Sequence, residues 1–371
     1  MDSERTREVG SVMKARVPDT LEEALSPQWL TTALQPSFPG VAVREVIPGP
    51  IVDRVSTNAR FTIVCDGEIP EGLSPRLCVK GYFNEQGREA RFVGEREAYF
   101  YRDLAAESGV RTLRSVFADF DTEARHGVVV TEDIVADGGS FLDAASHITP
   151  DRAADSLSQF AKLHASTWGN PKWADKHWLD SNLAGALRAW GDDAITARID
   201  ANFHGPNGRR VPDEVSDAPR LTSAYSSLVT TIEAEQASSE WCVIHGDAHI
   251  GNTFLDPSGA LNLVDWQLVQ RGMWYLDVGT HIGTALTVED RRSSEKDLLW
   301  HYLDCLASHG VTPPSRDVAW RALSRGILRG LFLWGITTKV DPTLIEILLH
   351  RLGTAVADHD ALSPEKYLAP L

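Results

Sequence analysis

Residues 245–252 read HGDAHIGN, and VDWQ follows at residues 264–267. The first stretch places two histidines, an aspartate and an asparagine within eight residues, and the second adds another aspartate after an apolar run. Such side chains are rarely found in a hydrophobic core, so their concentration between apolar segments indicates a site of chemistry. DPSG at residues 256–259 favours a tight turn and predicts a β-hairpin whose open end carries these polar residues.

In such a hairpin Asn252 and Asp265 lie at the same open end, and Asp247 lies in the loop beside them. One carboxylate and one amide oxygen suit Mg²⁺, which keeps several waters and completes its shell with phosphate oxygens. A further carboxylate that does not bind the metal can orient a hydroxyl group and accept its proton. The three side chains can therefore supply a metal site and a proton acceptor.

Three other interpretations compete for these residues. His245 and His249 could be zinc ligands, but ligand pairs with this spacing usually lie on a helix, and two glycines place this stretch in a loop. Asp247, taken singly, could cap a turn, although five polar residues at these spacings make a coincidence a poor explanation. The histidines could also brace the loop backbone, and for His245 we favour this structural role.

Composition excludes several classes of function. The 371 residues allow two domains or two lobes, and the formal net charge of −16 argues against nucleic acid or anionic membrane as a partner. The acidic balance is compatible with a cationic substrate, but a solvated surface that aids solubility explains it more simply.

The four cysteines are isolated, as in a reducing compartment, and the charged N-terminus does not resemble a secretory signal. The closest run to a membrane span, residues 326–338, contains Arg329. We expect a soluble, cytoplasmic protein of undetermined oligomeric state.

The pattern of polar and apolar residues divides the chain into three segments. Residues 1–40 form an N-terminal extension, polar and mobile up to residue 19 and then helical in LEEALSPQWLTTAL. Residues 41–134 contain five β-rich runs and one long helical pattern over residues 88–108, which predicts an antiparallel lobe. Residues 135–371 are mainly helical and carry the polar hairpin. The pattern predicts an α+β fold in two lobes, with a ligand between them.

HGDAHIGN followed by VDWQ resembles the HGDxHxxN and (I/V)D(F/W) motifs of the aminoglycoside phosphotransferase and choline kinase group of small-molecule kinases. The DWQ ending and the long helical lobe are similar to the ecdysteroid-kinase-like branch. The resemblance implies a protein-kinase-like fold, with a small antiparallel β N-lobe and a large helical C-lobe. It also implies that Asp247 is the catalytic base, that Asn252 and Asp265 bind Mg²⁺, and that His245 supports the loop.

A kinase-like fold requires a lysine on a strand of the first lobe and a glutamate on the next helix to hold it. RLCVKGYF provides Lys80 between apolar residues, although Lys80 taken alone is more simply a lysine on an edge strand facing solvent. By resemblance, EAYFY identifies Glu97 as its partner, while Glu89 and Glu95 are predicted to be solvated.

The nucleotide-binding segments have weaker signals. PGPIVDRVSTNARFTI lacks the GxGxxG pattern of protein kinases. By resemblance, Ser56, Thr57 and Asn58 occupy its turn, where backbone N–H groups and hydroxyls could meet phosphate. GVVVTEDI resembles the strand that leads into the connector between lobes, so the backbone around Glu132 and Ile134 is predicted to bind adenine.

Two further segments match the group. AKLHASTW resembles one of its helices, where His164 is predicted to pack and to brace the loop rather than to catalyse. YLDVGTHI resembles the segment after the metal-binding aspartate, where Asp277 is predicted to cap a helix and to brace the catalytic loop.

The predicted reaction is ATP- and Mg²⁺-dependent transfer of the γ-phosphoryl group to a hydroxyl of a small molecule, with a hydroxylated apolar metabolite favoured as the acceptor. An aminoglycoside would need a ring of carboxylates, and the available acidic residues have the spacing of a solvated helix face: Glu289, Asp290, Asp297 and Asp304. The tryptophans between residues 165 and 240 either belong to the core or line an apolar pocket. An aminoglycoside phosphotransferase, a nucleotide-binding protein without turnover and a Mg²⁺-dependent hydrolase remain alternatives.

Overall fold

The computed structural model describes residues 15–236, 241–369 and 371. They form two compact units, the first reaching Arg102 and resuming at Arg114–Ala136, the second made of Asp103–Leu113 and Asp137–Leu371. Residues 1–14 of the segment predicted to be mobile lie outside the described residues, and residues 15–19 are held in place. There, Val17 is buried and the Arg91 guanidinium donates to Asp19 at 2.7 Å. The boundaries after residues 40 and 134 stay predictions.

The described part of the first unit contains a five-stranded antiparallel sheet in the order β1-β2-β3-β5-β4. Its elements are α1 (Leu21–Ala24), α2 (Pro27–Leu34), β1 (Val43–Asp53), β2 (Thr57–Cys65), β3 (Arg76–Gly81), α3 (Glu85–Arg88), α4 (Gly94–Tyr99), β4 (Ser115–Asp121) and β5 (His126–Glu132). Side chains of β2 alternate between buried and half-buried, since successive residues of a strand face opposite sides of a sheet. The core on its buried face includes Phe61, Ile63 and Trp29 of α2. The helical segment predicted in LEEALSPQWLTTAL is confirmed as two short helices, and the five predicted strands are confirmed.

The helical pattern predicted over residues 88–108 is confirmed from Arg91 to Ser108, but it is not one regular α-helix. The segment consists of the end of α3, a 3₁₀ turn at Arg91–Val93, α4, a π-helical turn at Phe100–Leu104 and α5 (Ala105–Ser108). One physical reason is close packing on the sheet, because a Cβ on Gly127 would lie 2.3 Å from the carbonyl oxygen of Gly94. Apolar spacing cannot report such a contact. Phe92 in the 3₁₀ turn is 48% exposed.

The described part of the second unit is mainly helical, as predicted. After α5 its elements are β6 (Ser140–Phe141), α6 (Pro150–Thr167), α7 (Gly185–Trp190), α8 (Asp192–Phe203), α9 (Ala218–Gln236), β7 (Cys242–Ile244), β8 (Thr253–Leu255), β9 (Leu261–Leu263), β10 (Gln270–Gly272), α10 (Tyr275–Ala285), α11 (Val288–Ser308), α12 (Arg316–Gly335), α13 (Pro342–Asp358) and α14 (Pro364–Leu368). No helix among the described residues combines the length and apolarity needed to cross a bilayer. Trp173 and Trp178 are core residues, whereas Trp190 is 45% exposed.

The hairpin predicted from the polar motif is present. β8 and β9 pair antiparallel, with Thr253 opposite Leu263 and Leu255 opposite Leu261. The turn between them closes through the N–H of Asp256, which donates to the carbonyl of Ala260 at 3.0 Å. β7 pairs with β10 and leads into the polar loop at the open end of this hairpin.

Candidate active site

Lys80 lies on β3, a central strand of the first unit, opposite Asn58 of β2 and Val129 of β5. The alternative of an edge-strand lysine is therefore wrong. Its Nζ is 2.7 Å from one carboxylate oxygen of Glu97 and 3.0 Å from the other. The Glu97 side chain is 5% exposed and that of Lys80 is 19% exposed, so most of the pair is shielded from water. The glutamate holds the ammonium group in a defined position, as predicted.

The turn between β1 and β2 is Arg54–Ser56, so the predicted turn Ser56–Asn58 is wrong at two of its three residues. Thr57 and Asn58 belong to β2. The physical reason is that β1 is an edge strand, where prolines are tolerated, so it continues through PGP instead of ending there. Thr57 is buried, and its hydroxyl donates to Asp53 of β1 at 2.7 Å, so this hydroxyl stabilises the sheet.

Asn84, which the sequence analysis did not identify, holds this turn in place through hydrogen bonds of its side chain. Its Nδ2 donates to Asp53 Oδ1 at 2.5 Å and to the Arg54 carbonyl at 2.7 Å. Its Oδ1 accepts from the N–H of Gly87 at 2.5 Å as the N-cap of α3. Hydrogen bonds from Thr57 and Asn84 hold the pKa of the Asp53 carboxyl below its usual value. The only sequence signal was an asparagine before a short polar helix.

Glu132 is the last residue of β5, and Ile134 lies in the turn that follows. The N–H of Glu132 donates to the carbonyl of Arg114, and the N–H of Asp133 donates to the carbonyl of Arg76, both at 3.0 Å. The Glu132 side chain accepts from Arg114 at 2.8 Å. The backbone N–H groups of Glu132 and Asp133 are therefore committed to the protein, and the adenine contact predicted around Glu132 and Ile134 stays a prediction.

In the second unit the structure brings Asp247, Asn252 and Asp265 together. The Nδ2 of Asn252 donates to the Asp247 carbonyl at 2.8 Å and to its carboxylate at 3.0 Å. The N–H of Val264, next to Asp265, donates to the Asn252 carbonyl at 2.9 Å. Because the amide nitrogen of Asn252 donates to Asp247, the Asn252 side chain can use its Oδ1 to bind a cation. One amide oxygen and the Asp265 carboxylate fit the hard-oxygen set that Mg²⁺ uses when phosphate and water complete its shell.

Asp265 has φ +69°, in the left-handed region. Non-glycine residues seldom adopt this conformation, although aspartate tolerates it better than most, and observed outliers of this kind cluster at functional sites. The next residue anchors the segment, since the Trp266 indole N–H donates to the Thr112 hydroxyl at 3.0 Å and its ring lies 4.5 Å from that of His245. The backbone therefore aims the Asp265 side chain independently of any ligand.

Asp277 braces the loop, but it does not cap a helix as predicted. It is the third residue of α10, and its carboxylate accepts from outside that helix. The N–H groups of His245 and Gly246 donate to it at 2.6 and 3.0 Å, and His164 Nε2 lies 3.2 Å away. Burial alone would raise the pKa of the Asp277 carboxyl, but the hydrogen bond and charge of His164, with the loop contacts, hold it below its usual value. His164 thus braces the loop through Asp277, as predicted.

His245 is structural, and the zinc interpretation is wrong. Its Nε2 donates to the Val264 carbonyl at 3.0 Å, and its Nδ1 accepts from the N–H of Asp247 at 3.3 Å, so both nitrogens are engaged. Burial lowers the pKa of His245, which keeps the ring neutral. Among the described residues, no three His, Cys, Asp or Glu side chains are grouped so that they could hold a metal.

Two further supports of the loop were missed from the sequence. His281 of α10 donates through Nδ1 to the Ala248 carbonyl at 3.1 Å, and its Nε2 contacts the Ser156 hydroxyl at 2.5 Å. Burial lowers the pKa of His281 to about 4. Arg329 of α12 donates through Nη2 to the Gly246 carbonyl. His281 lies in the segment YLDVGTHI, where only Asp277 was assigned a role, and the one signal for Arg329 was a charge inside the apolar run of residues 326–338.

Comparison with known proteins bears on the family and the fold. The model of a family described as the phosphotransferase enzyme family matches residues 93–310, more than half of the chain. Choline kinase from Cryptosporidium parvum Iowa II is 14% identical at a TM-score of 0.53, covering 94% of this chain and 98% of that one. Plasmodium vivax ethanolamine kinase is 12% identical (TM-score 0.48; 86% and 83% covered). The GDP complex of aminoglycoside 2'-phosphotransferase-IIIa is 14% identical (TM-score 0.49; 90% and 99% covered).

No curated protein sequence matches the chain. At this identity, the likeness to the Cryptosporidium choline kinase shows a shared fold, in agreement with the predicted kinase-like α+β architecture. The family match covers Glu97 and the whole polar hairpin. It confirms the predicted enzyme class. The chain belongs to the phosphotransferase enzyme family.

Proposed function

We propose that the protein transfers the γ-phosphoryl group of ATP, with Mg²⁺, to a hydroxyl group of a small molecule. The observation that carries the proposal is the loop of the second unit, in which Asp247 is bonded to Asn252 and Asp265 stands in a left-handed conformation beside them. This geometry separates a carboxylate that can take a proton from two oxygen groups that can hold a cation.

Nucleotide binding is assigned to both units. The Lys80 ammonium, held by Glu97, would bind the α- and β-phosphates as a fixed positive charge. The backbone at Ser56 would meet phosphate, and the N–H of Ile134 would meet adenine. Asn252 and Asp265 would hold Mg²⁺, which neutralises phosphate charge during transfer.

Asp247 would act as the catalytic base. Its side chain is 31% exposed, so an acceptor can reach it, and Asn252 fixes one of its carboxylate oxygens. As the acceptor oxygen bonds to the γ-phosphorus and the bond to ADP breaks, the hydroxyl proton passes to Asp247. Alignment of the hydroxyl and removal of its proton would be the contribution of this residue.

The acceptor is proposed to be a hydroxylated apolar metabolite. Trp334 of α12 packs edge-on against His249 of the loop, with ring centroids 5.0 Å apart. Phe332 of the same helix stacks on Tyr225 at 3.6 Å, and both rings are buried in the core. The acidic residues considered for a cationic acceptor lie on α11 and face solvent at Asp297 and Asp304, as predicted. Polycationic aminoglycosides are accordingly the less supported choice.

The decisive experiment measures ADP release from ATP and Mg²⁺ across a library of hydroxyl compounds, with Asp247→Asn as the test variant. We expect the variant to keep the thermal shift produced by ATP and Mg²⁺ and to lose transfer by roughly 10²-fold or more. Transfer at the wild-type rate would remove Asp247 from the base role. A wild-type protein that binds ATP without turnover would be a nucleotide-binding protein, and acceptor-independent ADP release would indicate a hydrolase.

A further inference from the structure

Two buried arginines lie one turn apart on α12, and their surroundings differ. Arg325 is fully buried and pairs with Glu235 at 2.7 Å, with the Tyr275 hydroxyl 3.3 Å away. Arg329 is 2% exposed, and its Nη2 donates to the Gly246 carbonyl. Its Nε and Nη1 are buried without a hydrogen-bond partner, and no carboxylate of the described chain forms an ion pair with it. The guanidinium of Arg325 therefore has an ion-pair partner, whereas that of Arg329 has donors without a partner.

A buried guanidinium without a carboxylate is unfavourable for folding, because desolvation of the charge is not offset. An apolar side chain of similar length would suit the interior of α12 better. The helix packs Tyr225 beside this charge as well, and burial raises the pKa of the Tyr225 phenol while the charge of Arg329 opposes that shift. Stability therefore does not explain an arginine here; besides its polar interaction with Tyr225, the guanidinium donates to the loop at Gly246.

That hydrogen bond fixes the peptide unit that leads into Asp247. Gly246 has φ +83°, and a Cβ there would lie 2.0 Å from the Leu268 carbonyl oxygen, so glycine is required. Glycine also leaves the following peptide plane free to rotate. Arg329 holds the carbonyl side of that plane, and His245 Nδ1 accepts from the N–H side at 3.3 Å. A charged donor makes the stronger of the two restraints.

We propose that Arg329 is a positioning residue for phosphoryl transfer, which locks the Gly246–Asp247 peptide so that the Asp247 carboxylate faces the acceptor hydroxyl. This inference rests on the proposed function. Arg329 acts through Gly246 and touches neither nucleotide nor acceptor. Without it the peptide plane samples other orientations, and the carboxylate is misplaced although every residue of the motif is present.

The test compares Arg329→Met with Arg329→Lys in the full-length protein. Met keeps the volume and removes the donor, so kcat should fall about 10²-fold, the effect of a displacement near 1 Å, while KM for ATP stays within about twofold. Lysine can donate to the same carbonyl, so Arg329→Lys should keep most of the kcat that Arg329→Met loses. The matched control is the double variant Glu235→Gln/Arg325→Met, which removes the neighbouring pair from the same helix and should leave kcat unchanged.

A second readout is independent of turnover. Amide hydrogen exchange of the peptide spanning residues 241–255 should accelerate at least about tenfold in Arg329→Met and stay at the wild-type rate in the control. If Arg329→Met does not fold, Arg329→Ala supplemented with guanidinium chloride replaces it. NaCl and urea at the same concentration are the controls. Only guanidinium should restore kcat and the protection of the loop amides from exchange.

Three results would overturn the inference: wild-type kcat in Arg329→Met, equal losses in Met and Lys variants that are folded, or wild-type loop exchange. If wild-type protein shows no transfer while the exchange pattern holds, the proposed function fails and the positioning contact stands.

Discussion

Replacing Asp277 with alanine tests whether the catalytic loop depends on one buried carboxylate. The side chain is inaccessible to water and accepts from the backbone N–H groups of His245 and Gly246 and from the ring of His164. Alanine leaves these three donors buried without an acceptor, and each such donor costs about 1–3 kcal/mol. Water entering the space relieves part of this cost. We expect the free energy of unfolding of the second unit to fall by about 3–5 kcal/mol.

The effect should depend on pH in a direction set by the carboxyl pKa. Asp277 has a pKa below its ordinary value in the folded protein, so its contribution is fully present above the unfolded pKa, about 3.9. The contribution is lost as pH falls through the lower, folded pKa. The stability difference between wild type and Asp277→Ala should therefore be constant between pH 7 and about pH 5 and shrink below about pH 4.

Urea unfolding followed by tryptophan fluorescence at several pH values measures both effects. Asp297→Ala is the matched control, because Asp297 is an exposed aspartate on α11 of the same unit and should change stability by less than about 0.5 kcal/mol. An Asp277→Ala protein that unfolds at the wild-type urea concentration at pH 7 would refute the reasoning. A difference that grows as the solution becomes more acidic would refute the assigned direction of the pKa shift.

Three other substitutions probe separate parts of the site. Glu97→Gln should raise KM for ATP about tenfold in initial-rate assays without changing KM for the acceptor, because Lys80 loses the charge that holds it; an unchanged KM for ATP contradicts this role. Gly246→Ala should lower the free energy of unfolding by at least about 2 kcal/mol, since its Cβ meets the Leu268 carbonyl at φ +83°; wild-type urea stability would show that the loop can relax. Asp265→Asn should fold normally, because asparagine tolerates φ +69°, yet need at least about tenfold more Mg²⁺ for half-maximal activity; a wild-type Mg²⁺ titration would exclude Asp265 as a ligand.

The sequence predicts those parts of the molecule whose signals are local. Alternation of apolar residues and the DPSG turn define β8 and β9, and the spacing of Asn252 and Asp265 along that hairpin determines that they meet. The start of α6 has an equally local signal, since Thr149 caps the helix by accepting from the N–H of Arg152 and Pro150 is its first residue. These predictions need no knowledge of distant segments.

The predictions that failed depend on tertiary contacts. The irregular form of the helix over residues 91–108 accompanies the close approach of Gly94 to Gly127, a contact between a helix and a strand that the intervening chain does not encode locally. The buried strand predicted for Lys80 is confirmed, but its central place in the sheet depends on the pairing of β5 with β3, a strand order that periodicity cannot express. The turn at Arg54–Ser56 shifted because an edge strand accepts prolines.

Among the supports of the catalytic loop, the bracing role of Asp277 was predicted, whereas those of His281 and Arg329 were missed. Asp277, His281 and Arg329 come from α10 and α12, and each bonds a backbone atom of the loop. A hydrogen bond to the backbone constrains the shape of the loop but does not require particular side chains in it. The motif HGDAHIGN therefore does not indicate which residues bond its backbone. Because none of the three requires contact with an acceptor, they define where Asp247 points independently of what it deprotonates. Changes of acceptor can then arise on aromatic surfaces such as that of Trp334, which packs against the loop edge at His249, without disturbing the base.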